Sequence, residues 1–269
     1  MSAPRPIFLL TDFGPGGYYQ GVMRGVIAGI APESAVHDLT HGVTPGDVNE
    51  AAFILEASLD HLPADVVAVV VVDPGVGGDR RILAARFGDR LVLAPDNGVL
   101  TRVLSRSDLA EVRRLSNERL RLEKVSATFH GRDVFAPAAA HLARGFPFRE
   151  AGPEVGDPVR VGREAPGAGS DTGEQPVLVA QVIHVDPFGN LVTDVTRDEW
   201  IRRVGSPAFR IQAGPVTLTR LMRTFSDVRS GEPLAYMGST ENLELAIRDG
   251  NAAAAWGMGT GDEIRVFKD

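Results

Sequence analysis

Over its first 160 residues the chain alternates short apolar runs with stretches whose apolar positions recur at helical spacing. That pattern belongs to βαβ units around a mostly parallel sheet. Residues 7–10 read as a buried strand ending at Thr11-Asp12, and after the glycine-rich segment 14–17 the residues Val22, Met23, Val26, Ile27 and Ile30 share one helical face. Residues 35–39 suit a second strand, and residues 47–62 a second helix carrying Ala51, Ile54, Leu55 and Leu59. Residues 66–72 are all Val or Ala, as expected of a strand buried on both faces, and this run also stops at an Asp. Residues 82–87 and 91–94 extend the sheet, and residues 131–144 form a further helix.

Residues 161–176 turn polar and rich in Gly and Pro, without periodicity, and read as a linker. Beyond it, short strand-like runs at 177–185, 191–195, 209–212, 216–218, 234–237, 243–247 and 263–267 alternate with turn residues, the signature of an all-β barrel or sandwich. The expected organisation is an α/β domain over residues 1–160 and a smaller, barrel-like β domain over residues 177–269. No internal repeat is evident.

Composition narrows the partners. With 28 basic and 35 acidic residues the net charge is −7, and no Lys/Arg stripe could neutralise a phosphate backbone, which argues against nucleic acid. The absence of Cys removes disulfides, thiolate nucleophiles and Cys-bound zinc together. The longest apolar run falls far short of the ~20 residues of a membrane helix. The apolar residues 7–10 are broken too early, by Asp12, for a secretory segment. A cytoplasmic protein is expected.

Asp12 and Asp73 each follow a parallel strand and precede a Gly-rich loop, at the sheet edge where open α/β folds bind ligands. Read singly, such an Asp caps a helix or makes an Asx-turn. Neither loop has the spacing of a dinucleotide fingerprint or a P-loop, and a carboxylate there suits a vicinal diol or a cation better than a pyrophosphate. Arg80 and Arg81 follow the second loop, where a bland reading makes them solvated charges. His130, before a helix, reads as a cap, a core residue or a base. The six His lack metal-ligand spacing, so no metal is assigned. Asp186-Pro187-Phe188-Gly189-Asn190 is a turn by composition, yet it also offers a stacking face and an amide able to read a base edge. Tyr236-Met237-Gly238-Ser239 ends a strand in a polar turn.

Together the segments Thr11-Asp12-Phe13-Gly14, Asp73-Pro74-Gly75-Val76-Gly77 with Arg80, Phe129-His130-Gly131-Arg132-Asp133, Asp186-x-Phe188-Gly189-Asn190 and Gly250-Asn251-Ala252-Ala253 resemble the S-adenosyl-L-methionine hydroxide adenosyltransferases, the hydrolase relatives of fluorinase and chlorinase. The resemblance spans essentially the whole chain. It implies hydrolysis of S-adenosyl-L-methionine to adenosine and L-methionine, without a cofactor. It also implies a homotrimer whose active sites lie between one subunit's N-terminal domain and its neighbour's C-terminal domain. By position it assigns water handling to Asp73, Arg80 and His130 and the ribose hydroxyls to Asp12. Phe188 and Asn190 would meet adenine, and Asp186, Tyr236 and Ser239 the methionine part, with Tyr19 and Glu244 at the pocket wall. Two positions depart from the family pattern. Gly17 stands where relatives commonly carry an Asp, and the usual aromatic or basic residue is missing around residues 240–242. Competing readings are a halogenase on the same scaffold, a non-catalytic adenosine or S-adenosyl-methionine binding module, and a metal-dependent phosphohydrolase using Asp12, Asp73, His130 and Asp133.

Overall fold

The computed structural model describes residues 4–106, 110–161, 176–205 and 208–268; most of the expected linker, residues 162–175, lies outside them. The chain divides into two compact units, Met1–Gly162 and Arg163–Asp269.

In the first unit a six-stranded sheet has the order β2-β1-β3-β5-β4-β6. Its strands are β1 (Ile7–Thr11), β2 (Val36–Thr40), β3 (Val67–Val71), β4 (Ile82–Phe87), β5 (Arg90–Pro95) and β6 (Glu111–Arg114). β2, β1, β3 and β5 are parallel, whereas β4 is antiparallel to both of its neighbours. β4 and β5 form a hairpin, with only Gly88 and Asp89 between them. The sequence shows both strands but not this reversal.

Valine alternation in β3 builds two cores. Val67, Val69 and Val71 pack with Met23 and Ile27 of helix α1 (Tyr19–Ile30) and with helix α4 (Ala136–Ala143). Ala68 and Val70 pack with Ala51, Leu55 and Leu59 of helix α2 (Val48–Leu59) and with the short helix α3 (Thr101–Ser105). Successive side chains on a strand point to opposite faces, so an unbroken apolar run needs helices on both sides. Asp47 caps α2 by accepting the Glu50 N–H at 2.9 Å. Residues 131–144 do not form one uniform helix. They open with a π-helical turn, Gly131–Phe135, before α4 begins. Such turns often accompany functional sites.

The connections place β1 and β3 side by side although α1, β2 and α2 lie between them in sequence. Their carboxyl ends therefore share one edge of the sheet, the edge at which open α/β folds bind ligands.

The second unit holds an eight-stranded sheet of order β10-β9-β14-β7-β8-β13-β12-β11. The strands are β7 (Leu178–Val185), β8 (Leu191–Thr196), β9 (Phe209–Ala213), β10 (Val216–Leu218), β11 (Leu221–Met222), β12 (Pro233–Met237), β13 (Asn242–Ile247) and β14 (Glu263–Lys268). Its two end strands, β10 and β11, are joined by only Thr219 and Arg220, so the sheet curls until its edges lie close. The unit is not all-β. Helix α5 (Arg197–Arg203) starts at Thr196, whose side chain accepts the Glu199 N–H, and helix α6 (Ala252–Trp256) starts at Asn251, which accepts the Ala254 N–H at 2.7 Å. Both are short helices in which the cap prevails over a sequence context dominated by strands.

Phe135, fully buried where the π-turn meets α4, joins the turn to the core behind β3. Phe135→Ala should cost about 3–5 kcal/mol of stability in urea unfolding. A loss below about 1 kcal/mol would mean that the turn is not anchored by this ring.

Candidate functional site

Asp73 follows β3, and two successive turns fold the chain back onto it, with Val76 N–H donating to Asp73 O and Gly78 N–H to Gly75 O, each at 3.1 Å. The reversal lays Arg80 across Asp73. Nε donates to Oδ1 at 2.9 Å and to Oδ2 at 3.0 Å, and Nη2 also meets Oδ2. The same Nη2 lies 2.7 Å from His130 Nδ1. The pair is largely withdrawn from water, with 11% of the Arg80 and 4% of the Asp73 side chain exposed. Pairing and burial together make this a fixed charge rather than a surface ion pair.

A guanidinium only donates, so His130 Nδ1 must present its lone pair to Arg80, and the neutral ring then carries its proton on Nε2. A further hydrogen bond joins the ring to the Ser126 backbone. Burial first, and the Arg80 charge second, lower the His130 pKa below the usual histidine value. His130 makes no side-chain cap to the turn it precedes, so the capping alternative does not hold.

One close approach brings the His130 loop to the Asp73 loop, and a second set of contacts braces the His130 loop itself. Gly77 has φ +79°, and a Cβ there would stand 2.2 Å from the Ala127 carbonyl oxygen, so only glycine allows this approach. Asp133, buried, accepts the Ser126 N–H at 2.8 Å and is paired with Arg132. That spends Asp133 on the loop instead of the cavity. Arg80 and Arg81 also part company. Arg81 turns away from Asp73 to pair with Asp96 and Asp157, which pins residues 157–159 to the hairpin.

Asp12, at the end of β1, accepts the Gly46 N–H at 2.8 Å instead of capping a helix. Asp12, Asp73 and His130 line one pocket of about 280 Å³, whose apolar walls include Phe13, Val71 and Phe129. Arg80 stands behind its two partners. Tyr19 is not in the wall. Its ring packs 5.4 Å from Phe13 and 5.1 Å from Phe129, supporting two rings that are. Gly17 cannot simply be replaced by a larger residue, because a Cβ there would lie 2.9 Å from the Phe13 carbonyl oxygen.

The second unit has its own pocket, of about 850 Å³, and six expected residues line it: Asp186, Phe188, Asn190, Tyr236, Ser239 and Glu244. Asp186 is both turn and wall. Oδ1 accepts the N–H groups of Phe188 and Asn190 at 2.9 Å each, and Oδ2 accepts from Asn190 Nδ2 at 2.8 Å. Gly189 has φ +84°, and a Cβ there would meet the Asn251 side chain at 2.2 Å, which explains Gly at that turn and its closeness to the Asn251 motif. Phe188 presents its ring to solvent, 76% exposed. Tyr236 and Glu244 are cross-strand partners, and the phenol donates to the carboxylate. Burial raises both pKa values, and the neighbouring Asp186 charge pushes each the same way.

Sequence reasoning missed Gly46, which orients Asp12, together with Phe225 and Asp249 of the second pocket. The first was detectable only as the Pro45-Gly46-Asp47 turn before α2. The other two sit in turns whose destination depends on how the sheet curls. Among the described residues no group of three or more His, Asp or Glu gathers to hold a metal, and no helix is long and apolar enough to cross a membrane.

Comparison with known proteins supplies the family. The family model for the SAM hydroxide adenosyltransferase N-terminal domain matches residues 7–152, and that for the C-terminal domain matches residues 180–265. A protein of Thermus thermophilus named (R)-S-adenosyl-L-methionine hydrolase is 39% identical over 98% of this chain and 100% of its own length. A protein of the same name from Salinispora tropica is 38% identical over 98% of each chain. A fluorinase from Actinoplanes sp. is more distant, at 27% identity. A crystal structure of an uncharacterized conserved protein from Thermotoga maritima matches 97% of this chain and all of its own, with a TM-score of 0.84 at 35% identity.

The lowered His130 pKa makes two measurements diagnostic. The native state binds fewer protons here than the unfolded chain, so this contribution to stability is full above about pH 6.5 and is lost as pH falls through the folded value. By NMR the His130 ring should titrate below about 6.5 in the wild type and higher in Arg80→Met. An unchanged midpoint in the variant would mean that the guanidinium does not act on the ring.

Proposed function

The chain belongs to the S-adenosyl-L-methionine hydroxide adenosyltransferase family, and from that premise we propose that it hydrolyses S-adenosyl-L-methionine to adenosine and L-methionine. The observation that carries the reading is the Asp73–Arg80–His130 array beside a pocket that also holds Asp12. Water attacks ribose C5′ as the C5′–S bond breaks. The bonding pair stays on sulfur, which becomes the neutral thioether of methionine, and the oxygen keeps one proton as the new 5′-hydroxyl and releases the other.

A sulfonium leaves without protonation, so the protein's task is to place and activate the oxygen. Holding it in line captures part of an advantage that reaches about 7–11 kcal/mol in well-oriented systems. Arg80 cannot be a base, but a fixed cation stabilises hydroxide as it develops. Asp73 and His130 Nδ1 hold that cation from two sides. With its lone pair already engaged by Arg80, His130 helps hold that cation while its own ring lines the pocket. Asp12 takes the ribose hydroxyls. Phe188 and Asn190 receive adenine, and Asp186, Tyr236, Ser239 and Glu244 surround the methionine part. The carboxylates Asp186 and Glu244 suit a substrate with a cationic sulfur and an ammonium group.

The two pockets belong to different units, and we assign the complete site to a homotrimer in which one subunit's first unit meets its neighbour's second unit. The halogenase alternative is disfavoured because a halide brings no proton to remove, which leaves the neutral His130 beside Arg80 without a task.

Purified protein given S-adenosyl-L-methionine in heavy-oxygen water with EDTA present should yield adenosine labelled at the 5′-oxygen and unlabelled methionine; 5′-chloro-5′-deoxyadenosine formed from added chloride would favour the halogenase instead. Arg80→Ala should lower kcat by about 10²–10³ with little change in KM, as expected for loss of a group that stabilises developing charge. Asp12→Ala should mainly raise KM. For the shared site, Arg80→Ala and Phe188→Ala chains unfolded together and co-refolded should regain activity at roughly one site in four, because each intact site needs one good half from each chain. No recovery would place both halves of the site in a single chain.

A further inference from the structure

We infer that Thr11 and His41 form a positioning relay that sets Asp12 for the substrate, an assignment that rests on the reading of the first-unit pocket given above. Neither residue lines that pocket.

Thr11 Oγ1 lies 2.8 Å from His41 Nδ1, and His41 Nε2 lies 2.8 Å from Asp38 Oδ1, with Arg24 of α1 paired to the same carboxylate oxygen. A hydroxyl, an imidazole and a carboxylate in this order resemble an activated nucleophile. Burial removes that reading, because Thr11 has 0% of its surface exposed and no substrate carbon can reach its oxygen. The donor and acceptor groups show what the array does instead, with His41 Nε2 facing Asp38 as an ion-pair contact and Nδ1 hydrogen-bonded to Thr11. The ionised Asp38 only accepts, so His41 carries its proton on Nε2 and offers the Nδ1 lone pair to the Thr11 hydroxyl. The Thr11 oxygen is then free to accept the Phe13 N–H, at 3.3 Å.

Asp12 stands between these two anchored neighbours. The same segment grips it from further along. Gly14 N–H donates to the His41 carbonyl at 2.8 Å, and Gly46 N–H donates to Asp12 Oδ2 at 2.8 Å. The loop that leaves β1 is therefore held against the loop that leaves β2 both before and after the carboxylate. Removing the Thr11 hydroxyl frees the Phe13 N–H and strands His41 Nδ1 in a buried site, where an unmade hydrogen bond is costly. The loop would relax and carry Asp12 with it. The Asp73–Arg80–His130 array hangs on other loops, so binding should suffer and the chemical step should not.

Thr11→Val keeps the volume and removes the hydroxyl, and Thr11→Ser restores it. The experiment measures kcat and KM for S-adenosyl-L-methionine, the Kd of adenosine, and Tm. Thr11→Val should raise KM and the adenosine Kd together by roughly tenfold with kcat within about twofold, and Thr11→Ser should bring both within about threefold of wild type. A folded Thr11→Val protein with unchanged KM and Kd, or one that loses kcat alone, overturns the relay. If Thr11→Val does not fold, His41→Asn, whose amide oxygen can still accept from Thr11, should keep KM within about threefold while His41→Leu raises it about tenfold; equal KM values in the two overturn the relay. Wild-type protein that neither hydrolyses S-adenosyl-L-methionine nor binds adenosine would remove the underlying reading, whereas an active wild type with an indifferent Thr11→Val removes the relay alone.

Discussion

One buried cation organises the first unit's chemistry. The Arg80 guanidinium lies between a carboxylate and the lone pair of a neutral imidazole, almost wholly out of water. Such a charge is tolerable only with its hydrogen bonds made, and removing a partner leaves a penalty far greater than the pair's net contribution. The surroundings read as answers to that constraint. The reversal after β3 carries Arg80 back to Asp73, Gly77 lets the loop bearing Ala127 come close, and Asp133 anchors Ser126 just ahead of His130. The π-turn starts directly after His130, where an extra residue per turn changes how the chain enters α4.

The sequence made much of this legible because strand ends in a parallel sheet are informative. A run of Val and Ala that halts at Asp73, and the shorter apolar run Ile7-Phe8-Leu9-Leu10 that halts at Thr11-Asp12, point to two strands with ligand-facing ends, and the structure sets those strands side by side. Periodicity could not show the β4–β5 hairpin, since a buried strand looks the same in either direction. Nor could it separate Arg80 from Arg81, two adjacent guanidinium groups with different destinations, one to Asp73 and His130 and one to Asp96 and Asp157. The family resemblance singles out Arg80, and the three-dimensional return of the loop supplies the physical reason. The helices α5 and α6 were legible in principle through Thr196 and Asn251, but each is a few residues long between strands, where a cap signal looks like a turn.

The second pocket shows how a turn by composition can also form a cavity wall. Asp186 holds its own loop with three hydrogen bonds and still lines the cavity, because a carboxylate has more acceptor positions than the turn consumes. The turn thus fixes the backbone of Phe188 and Asn190 through its own hydrogen bonds, and for the proposed adenine contact such order lowers the entropy lost on binding. Tyr236 and Glu244 add a pair whose phenol stays protonated and whose carboxylate is raised by burial, so the wall is acidic but its charge is moderated by a neutral donor.

Placing the two pockets in different units also separates two electrostatic tasks that conflict. A cationic sulfur is best received among carboxylates, and the second pocket has Asp186 and Glu244 in its wall. Developing hydroxide is best received beside a fixed cation, and Arg80 is held by the first unit. Acids in direct contact with the guanidinium would screen it, and Asp73 is the carboxylate that pairs with Arg80. Asp73 already occupies one side of Arg80, so its remaining field is directed by geometry and not by an excess of charge. On the reading proposed above, both fields act on one substrate, whose ribose carbon lies between the attacking oxygen and the departing sulfur.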